Sequence, residues 1–333
     1  MSAVALPPLH DLLATARVVA LPLVTRFRGI DVREALLLEG PEGWTEFSPF
    51  AEYDDDEAAT WLAAAIDFGW NPTPAAHRDR IPVNATVPAV DADEVPAVLE
   101  RFPGCRTAKV KVAASDRPLE QDVARVRAVR AAMGPEGRIR VDANGGWNID
   151  EAEHAIHALA PFDLEYVEQP CASVGELAEI RTRTKYMGIP IAADESVRRA
   201  GDPLAVAAAG AADLLVVKAA PLGGIRRALD IVERAGLPIV VSSALDTSVG
   251  LAMGAHLAAA VPVLVYDCGL GTASLLAADV AGEPLRPSGG AIEVRRVEPH
   301  SELLDRYAAD GDRTAWWIAR LERCHGVLAG ETA

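Results

Sequence analysis

Short apolar runs that end in a polar or charged residue recur through most of this chain. KVKV reaches Lys111, RIRVD reaches Asp142, EYVEQ reaches Glu168 and IPIAAD reaches Asp194. LLVVK reaches Lys218, PIVVSS reaches Ser242 and Ser243, and VLVYD reaches Asp267. The successive gaps of 31, 26, 26, 24, 24 and 25 residues match a strand, a helix and two loops. PVNATV, around Asn84, lies 25 residues before Lys109 and extends the ladder to eight. Eight such units predict a closed parallel barrel, whose chemistry sits at the C-terminal ends of the strands. Those ends carry lysines, acids and a serine pair.

The intervening helices are visible in the same pattern. PLEQDVARVRAVRAAMG closes at Gly134, and Asp150 is placed to cap EAEHAIHALA. VGELAEIRTRT, PLAVAAAGA, GIRRALDIVERAG and SVGLAMGAHLAAAV follow. No comparable helix appears after Asp267, so the barrel reads as seven full units and a last strand. It spans residues 82–285.

Residues 18–50 break the rhythm. VVALPL, VREALLLEG and GWTEFSPF read as three strands with turns at 29–30 and 40–43. Four acids at 54–57 then open a helix, EAATWLAAAIDFG. This is a small α+β unit over residues 1–81, bounded by the proline-rich stretch 71–82. The tail, 286–333, lies outside the ladder. It is expected to pack back on the N-terminal unit through Trp316 and Trp317.

Composition narrows the function. Of 333 residues half are apolar and 5% aromatic, and the net charge is −16. That balance argues against nucleic-acid or anionic-membrane partners and leaves an anionic small molecule to be drawn by local positive charge. The four cysteines lack metal-like spacing and read as free thiols in a reducing cytoplasm. The N-terminus, broken by prolines, Asp11 and Arg17, has no signal-peptide pattern.

Four constellations could carry chemistry. Asp142, Glu168 and Asp194 end neighbouring strands, where strand spacing of ~5 Å would make them converge. Unaided they would repel one another. A hard divalent cation such as Mg²⁺ would resolve that, whereas separate helix-capping or arginine-pairing roles would leave the grouping unexplained. Lys109 and Lys111 share one strand face, opposite Ala108, Val110 and Val112, and adjacent ammonium groups depress each other's pKa. A solvated pair on a strand edge is the alternative. Lys218 falls across the barrel from Lys111, as a Schiff-base former, as a partner facing Lys111 over a substrate, or as a counter-ion to a barrel acid. Ser242, Ser243 and the 269–272 loop, with Gly269 and Gly271, suit anion binding, and Arg26 and Arg28 lie in a turn able to reach over the mouth. His154 and His157 read as surface residues of an outer helix.

Taken together, KVK (109–111), VDANGGW (141–147), VEQP (167–170), ADES (193–196) and VVK (216–218) resemble the enolase superfamily in its muconate-lactonizing subgroup. The resemblance implies a (β/α)7β modified TIM barrel with an N-terminal α+β capping domain completed by the C-terminal segment. It implies Mg²⁺ on Asp142, Glu168 and Asp194, with Lys111 and Lys218 flanking the substrate's α-carbon. RFRGIDVRE (26–34), GWTEFSPF (43–50), VEQPC (167–171), SSALDTSVG (242–250) and CGLGT (268–272) are similar to the actinobacterial o-succinylbenzoate synthase family of the menaquinone pathway. That similarity implies a syn dehydration of a cyclohexadiene carboxylate. Lys111 would be base and then acid, Lys218 a lasting cation, and Lys109 would lower the pKa of Lys111. Asn144 would hydrogen-bond a metal ligand or Lys218. The backbone at 242–243 and 269–271 would receive the succinyl carboxylate, with Arg28 or Phe27 closing the site. N-acylamino acid racemase, dipeptide epimerase and muconate cycloisomerase share the lysine arrangement and differ in loops 26–30, 47–53 and 268–272. A Schiff-base aldolase and a non-catalytic sensing barrel are the remaining readings. A monomer or simple homo-oligomer is expected.

Overall fold

The computed structural model describes residues 6–27, 29–198 and 203–330. Helix α1 (Leu9–Thr15) leads into an antiparallel sheet of β1 (Arg17–Phe27), β2 (Ile30–Gly40) and β3 (Gly43–Phe47), in that order. Gly43 takes a φ of +118° in the β2–β3 turn, a region that favours glycine. Helix α2 (Asp55–Trp70) follows, its first turn fixed by the Asp54 carboxylate, which accepts from the Glu57 N–H at 2.8 Å.

The barrel strands are β5 (Ala85–Val87), β6 (Thr107–Lys111), β7 (Arg138–Asp142), β8 (Leu164–Glu168), β9 (Ile191–Ala193), β10 (Leu214–Val217) and β11 (Ile239–Val241), preceded by β4 (Arg80–Pro82). They form one parallel sheet in sequence order from β5 to β11. The helices between them are α3 (Val95–Leu99), α4 (Leu119–Met133), α5 (Ile149–Leu159), α6 (Val174–Thr184), α7 (Glu195–Arg198), α8 (Ala205–Ala208) and α9 (Ile225–Ala235). Helix α10 (Ser248–Ala260) follows β11 and is buried over most of its length. Alternate strand residues such as Ala108, Val110, Ile139 and Val141 join the apolar layer under the helices. Their neighbours point into the barrel.

Several expectations are corrected. Helix α5 is capped by Asn148, not Asp150: the Asn148 side chain accepts from the Glu151 N–H, and Glu151 accepts from the Asn148 N–H. PLAVAAAGA yields only the four residues of α8. The run VLVYD is not a strand. Val263 and Val265 are 73% and 65% exposed, and pairing starts only at Cys268 and Gly269. Those two residues bridge Val83 and Ser242 and so close the sheet. Asp267 therefore lies at the N-terminal face. There it accepts from Thr107 Oγ1 and Arg138 Nη2, both at 2.7 Å, and these residues start β6 and β7.

Below the mouth the interior is plugged by Arg140. Its guanidinium bonds Glu165, Asn84 Oδ1 and the Asp267 carbonyl, and lies over the ring of Tyr166. A buried guanidinium needs all of these partners.

After the barrel, β12 (Ala291–Glu293) pairs antiparallel with β4, and α11 (Ser301–Arg306) and α12 (Gly311–Ala329) complete the chain. Helix α12 packs along α2, burying Trp317 edge-on against Phe47 at 5.9 Å. Arg320 ties this helix to the carbonyls of Phe50 and Tyr53. Among the described residues no helix is long and apolar enough to cross a membrane.

Trp317 is 1% exposed. Trp317→Ala is expected to cost ~3–5 kcal/mol by loss of buried area plus a cavity, read from urea unfolding. A loss under ~1 kcal/mol would show that α12 is dispensable to the core.

Candidate active site

At the strand ends the in-register pairs Lys111↔Asp142 and Asp142↔Glu168 set acids and lysines side by side. Lys109 Nζ lies 2.9 and 3.1 Å from the two Glu168 oxygens and 3.2 Å from Asp142 Oδ2. Lys111 Nζ lies 2.5 Å from Asp142 Oδ2 and 2.8 Å from Asn144 Oδ1. Lys218, one residue past β10, donates to Asp194 Oδ2 at 2.5 Å. In the closed ring β6 and β10 stand four strands apart, so Lys111 and Lys218 enter the mouth from opposite sides.

The chain turns sharply after these strands. Ala113, Asn144, Gln169 and Leu245 have φ values of 61°, 47°, 40° and 65°, a region costly for residues other than glycine. Each follows a strand whose end faces the mouth. Gln169 compensates by bracing two loops: its Oε1 accepts from the N–H of Asp194 and Ser196, and its Nε2 donates to Ser196 Oγ and the Cys171 carbonyl. Asn144 Nδ2 donates to Glu195 Oε1 at 3.1 Å, and its backbone N–H to Asp142 Oδ1. Asn144 thus orients Lys111 and not Lys218. Sequence reasoning did not single out Gln169 or Glu195, because most of their partners lie 25 to 51 positions away and leave no local pattern.

Phe27, Lys111, Asn144, Lys218 and Ser243 are among the residues lining a cavity of about 30 Å³ at the mouth. That holds roughly one or two waters. The Phe27 ring covers it, with its centroid 5.5 Å from Lys111 Nζ. A contiguous cavity of about 770 Å³, which shares Phe27, Lys111 and Asn144, runs outward past Arg26 and Arg117. A further hollow of about 520 Å³ beside Cys105 contains none of these groups.

The expected anion cradle is corrected in part. The N–H groups of Ser242, Ser243 and Gly269 are all spent on barrel closure, on the carbonyls of Val217, Gly269 and Val241. Only hydroxyls remain there, and Ser243 Oγ bonds the Gly269 carbonyl and Thr272 Oγ1. Gly269 lines the small cavity, and a side chain there would collide with Ser242 Oγ. Gly271 is set behind it, against the Asn84 carbonyl and the Phe102 ring. Arg28 lies outside the described residues. His154 and His157 are exposed on α5.

The model of the family described as Enolase C-terminal domain-like matches residues 92–299, and Enolase N-terminal domain-like matches residues 18–69. The chain belongs to the enolase superfamily. It is 54% identical to the o-succinylbenzoate synthase of Mycolicibacterium smegmatis, over 97% of this chain and 98% of that one. The Mycobacterium tuberculosis o-succinylbenzoate synthase is 53% identical over 97% of each chain. Among solved structures, the muconate lactonizing enzyme of Pseudomonas fluorescens superposes with a TM-score of 0.76 at 20% identity, over 89% of this chain and 98% of that one. The 2-chloromuconate cycloisomerase of Rhodococcus opacus gives 0.75 at 24% identity over the same shares. These two establish the fold, a modified TIM barrel with an N-terminal cap.

The row of acids is electrostatically tense. Burial and the adjacent Asp142 push the Glu168 carboxyl up to about 8, against the pull of Lys109. Burial also works against Asp142 as an anion, yet Lys111 and Lys109 hold it far below the usual carboxylate range. Burial lowers the pKa of Lys111, helped by Lys109 and opposed by Asp142. Lys109 also suffers burial, but Glu168 and Asp142 hold it well above its ordinary value. The expected mutual depression of the two lysines therefore falls on Lys111 alone. Among the described residues no three acids yet surround one point, since ammonium groups stand between them. The donor set still fits a hard divalent cation: oxygen ligands only, on adjacent strands, including one carboxylate that is costly to ionise unaided.

Glu168 has a folded pKa of about 8 against 4.5 ordinarily. The folded chain thus holds a proton that the unfolded chain releases across that window, and stability from this group is lost as pH rises through it. In the metal-free protein the thermal midpoint is expected to fall more steeply between about pH 5 and 8 in wild type than in Glu168→Gln. Equal slopes in differential scanning fluorimetry would contradict this.

Proposed function

We propose that this enzyme, a lyase of the enolase superfamily, dehydrates 2-succinyl-6-hydroxy-2,4-cyclohexadiene-1-carboxylate to 2-succinylbenzoate in menaquinone biosynthesis. The observation that carries the chemistry is Lys111 and Lys218 opposed across a mouth floored by three buried acids. Identities of 53–54% to o-succinylbenzoate synthases over nearly the full length select the substrate. The muconate cycloisomerases are neighbours in fold alone. All four cysteines are unbridged, in keeping with a reducing cytoplasm.

Lys111 as the free amine removes the ring proton α to the carboxylate. Its lowered pKa supplies that form, and Asn144 and Asp142 fix its direction. The same Nζ then returns the proton to the departing hydroxyl on the same face. Water leaves and the ring becomes aromatic. Lys218 stays cationic on the far face and stabilises the charge built up between the two steps. Lys109 keeps Asp142 and Glu168 in place and repels a proton from Lys111. Asp142, Glu168 and Asp194 would hold Mg²⁺, which when bound supplies a positive charge for the substrate's ring carboxylate. Phe27 and the rest of the cap exclude water.

Lys111→Ala is expected to reduce turnover ~1000-fold or more while the thermal midpoint stays close to wild type, because one group serves both proton transfers. Activity within ~10-fold of wild type would sink the assignment. Treatment with EDTA is expected to abolish activity and Mg²⁺ to restore it. A chelator-resistant enzyme would remove the metal from the account.

The opposed lysines also satisfy the 1,1-proton transfer of a racemase or epimerase. Exchange of the α-proton of N-acylamino acids in D₂O, lost in Lys218→Ala, would mark that activity.

A further inference from the structure

The cap grips one barrel loop at two points, through side chains that the chemistry above does not use. Arg33 of β2 and Glu46 of β3 are only 2% and 3% exposed. Arg33 Nε donates to the Leu245 carbonyl at 3.1 Å. Glu46 Oε2 accepts from the Thr247 N–H at 3.0 Å, the Thr247 hydroxyl at 2.6 Å and the Gly250 N–H at 3.1 Å. Ser48 joins the two grips. Its hydroxyl donates to Glu46 Oε1 at 2.5 Å and lies 2.9 Å from Arg33 Nη2.

Thr247 and Gly250 open helix α10, where backbone N–H groups lack partners within the helix. A carboxylate there meets both those donors and the positive end of the helix dipole. The helix is built to admit it: a Cβ on Gly250 would stand 2.6 Å from Glu46 Cδ and 2.7 Å from its Oε2. Burial and nearby Asp246 push the Glu46 carboxyl up to about 7, so the fold keeps this group in place against its own solvation.

The gripped segment is also a wall of the site. Ser242, Ser243, Ala244 and Leu245 line the mouth cavity, and Leu245 sits in the left-handed region. The Asp246 carboxylate accepts from the Ala244 N–H and tightens the bend. A strained turn of this kind persists only where its surroundings over-determine it. Here the surroundings are a cation on one side and an anion on the other, both supplied by the cap.

We propose that Glu46 is a positioning residue for substrate binding: by holding the first turn of α10 it sets the 242–246 wall and makes a formed site depend on a seated cap. Only the choice of assay substrate rests on the function proposed above.

The test uses Glu46→Leu, Glu46→Gln and Gly250→Ala in the full chain, with two readouts. Amide hydrogen exchange at 242–250 is expected to speed up by about tenfold in Glu46→Leu while the barrel strands stay protected. With the cyclohexadiene substrate KM is expected to rise about tenfold with kcat within about threefold, the signature of lost binding and not of lost chemistry. Glu46→Gln, which keeps an acceptor, is expected to recover most of both. Gly250→Ala is expected to reproduce the Leu variant's loop exchange by displacing the carboxylate, although alanine is the better helix former. It carries the test if the Leu variant does not fold. Exchange that is unchanged, or that quickens through the barrel strands as well, overturns the proposal. So does an unchanged KM in an active enzyme. If wild type proves inactive on this substrate, the function above fails while the exchange readout still decides the role of Glu46.

Discussion

Charge confined in an apolar barrel governs this structure. Three carboxylates and three ammonium groups meet at the ends of strands whose helix-facing side chains are mostly alanine, valine, leucine and isoleucine. Removing Lys109 would take the ammonium partner from Glu168, which is strongly destabilising in the interior, whereas loss of Lys111 leaves Asp142 paired with Lys109. An apolar replacement of the whole group would be no worse for stability, and often better. Such a cluster is therefore a cost that stability alone does not justify. Its place, at the mouth and between two opposed lysines, is where a reaction needs it.

The rest of the molecule holds that cluster still. Parallel register sets Lys111 beside Asp142 and Asp142 beside Glu168 with no room to slip, since a one-residue shift would turn each charge into the helix layer. Strained turns at Ala113, Asn144, Gln169 and Leu245 bend the chain away immediately beyond the strand ends, and Gln169 and Asn144 tie neighbouring turns together. The cap supplies Phe27 over Lys111 and grips the far wall with Arg33 and Glu46. The N-terminal face, plugged by Arg140 and its partners, is sealed against water from below.

Much of this was legible in the sequence. The strands could be read because most are buried apolar runs cut off by a polar or charged residue, at the period of a βα unit. Their order and the three acids followed directly. The last strand was misplaced because only Cys268 and Gly269 pair, too short a segment to outweigh the more apolar VLVYD beside it. The serine and glycine loops suggested an amide cradle, but closing the barrel consumes the amides of Ser242, Ser243 and Gly269, and hydrogen-bond register cannot be read from composition. The true cap of α5, Asn148, was hidden by the competing acids Asp150 and Glu151. Glu46 was not singled out, because its partners lie 201 to 204 positions away.

The central claim is that the acid cluster and Lys111 together perform a metal-assisted dehydration. It is tested most directly by following the diene absorbance of the cyclohexadiene carboxylate as purified protein and Mg²⁺ are added. The account predicts a rapid, Mg²⁺-dependent fall with stoichiometric appearance of 2-succinylbenzoate. A folded, metal-bound protein that leaves the diene absorbance unchanged would contradict it.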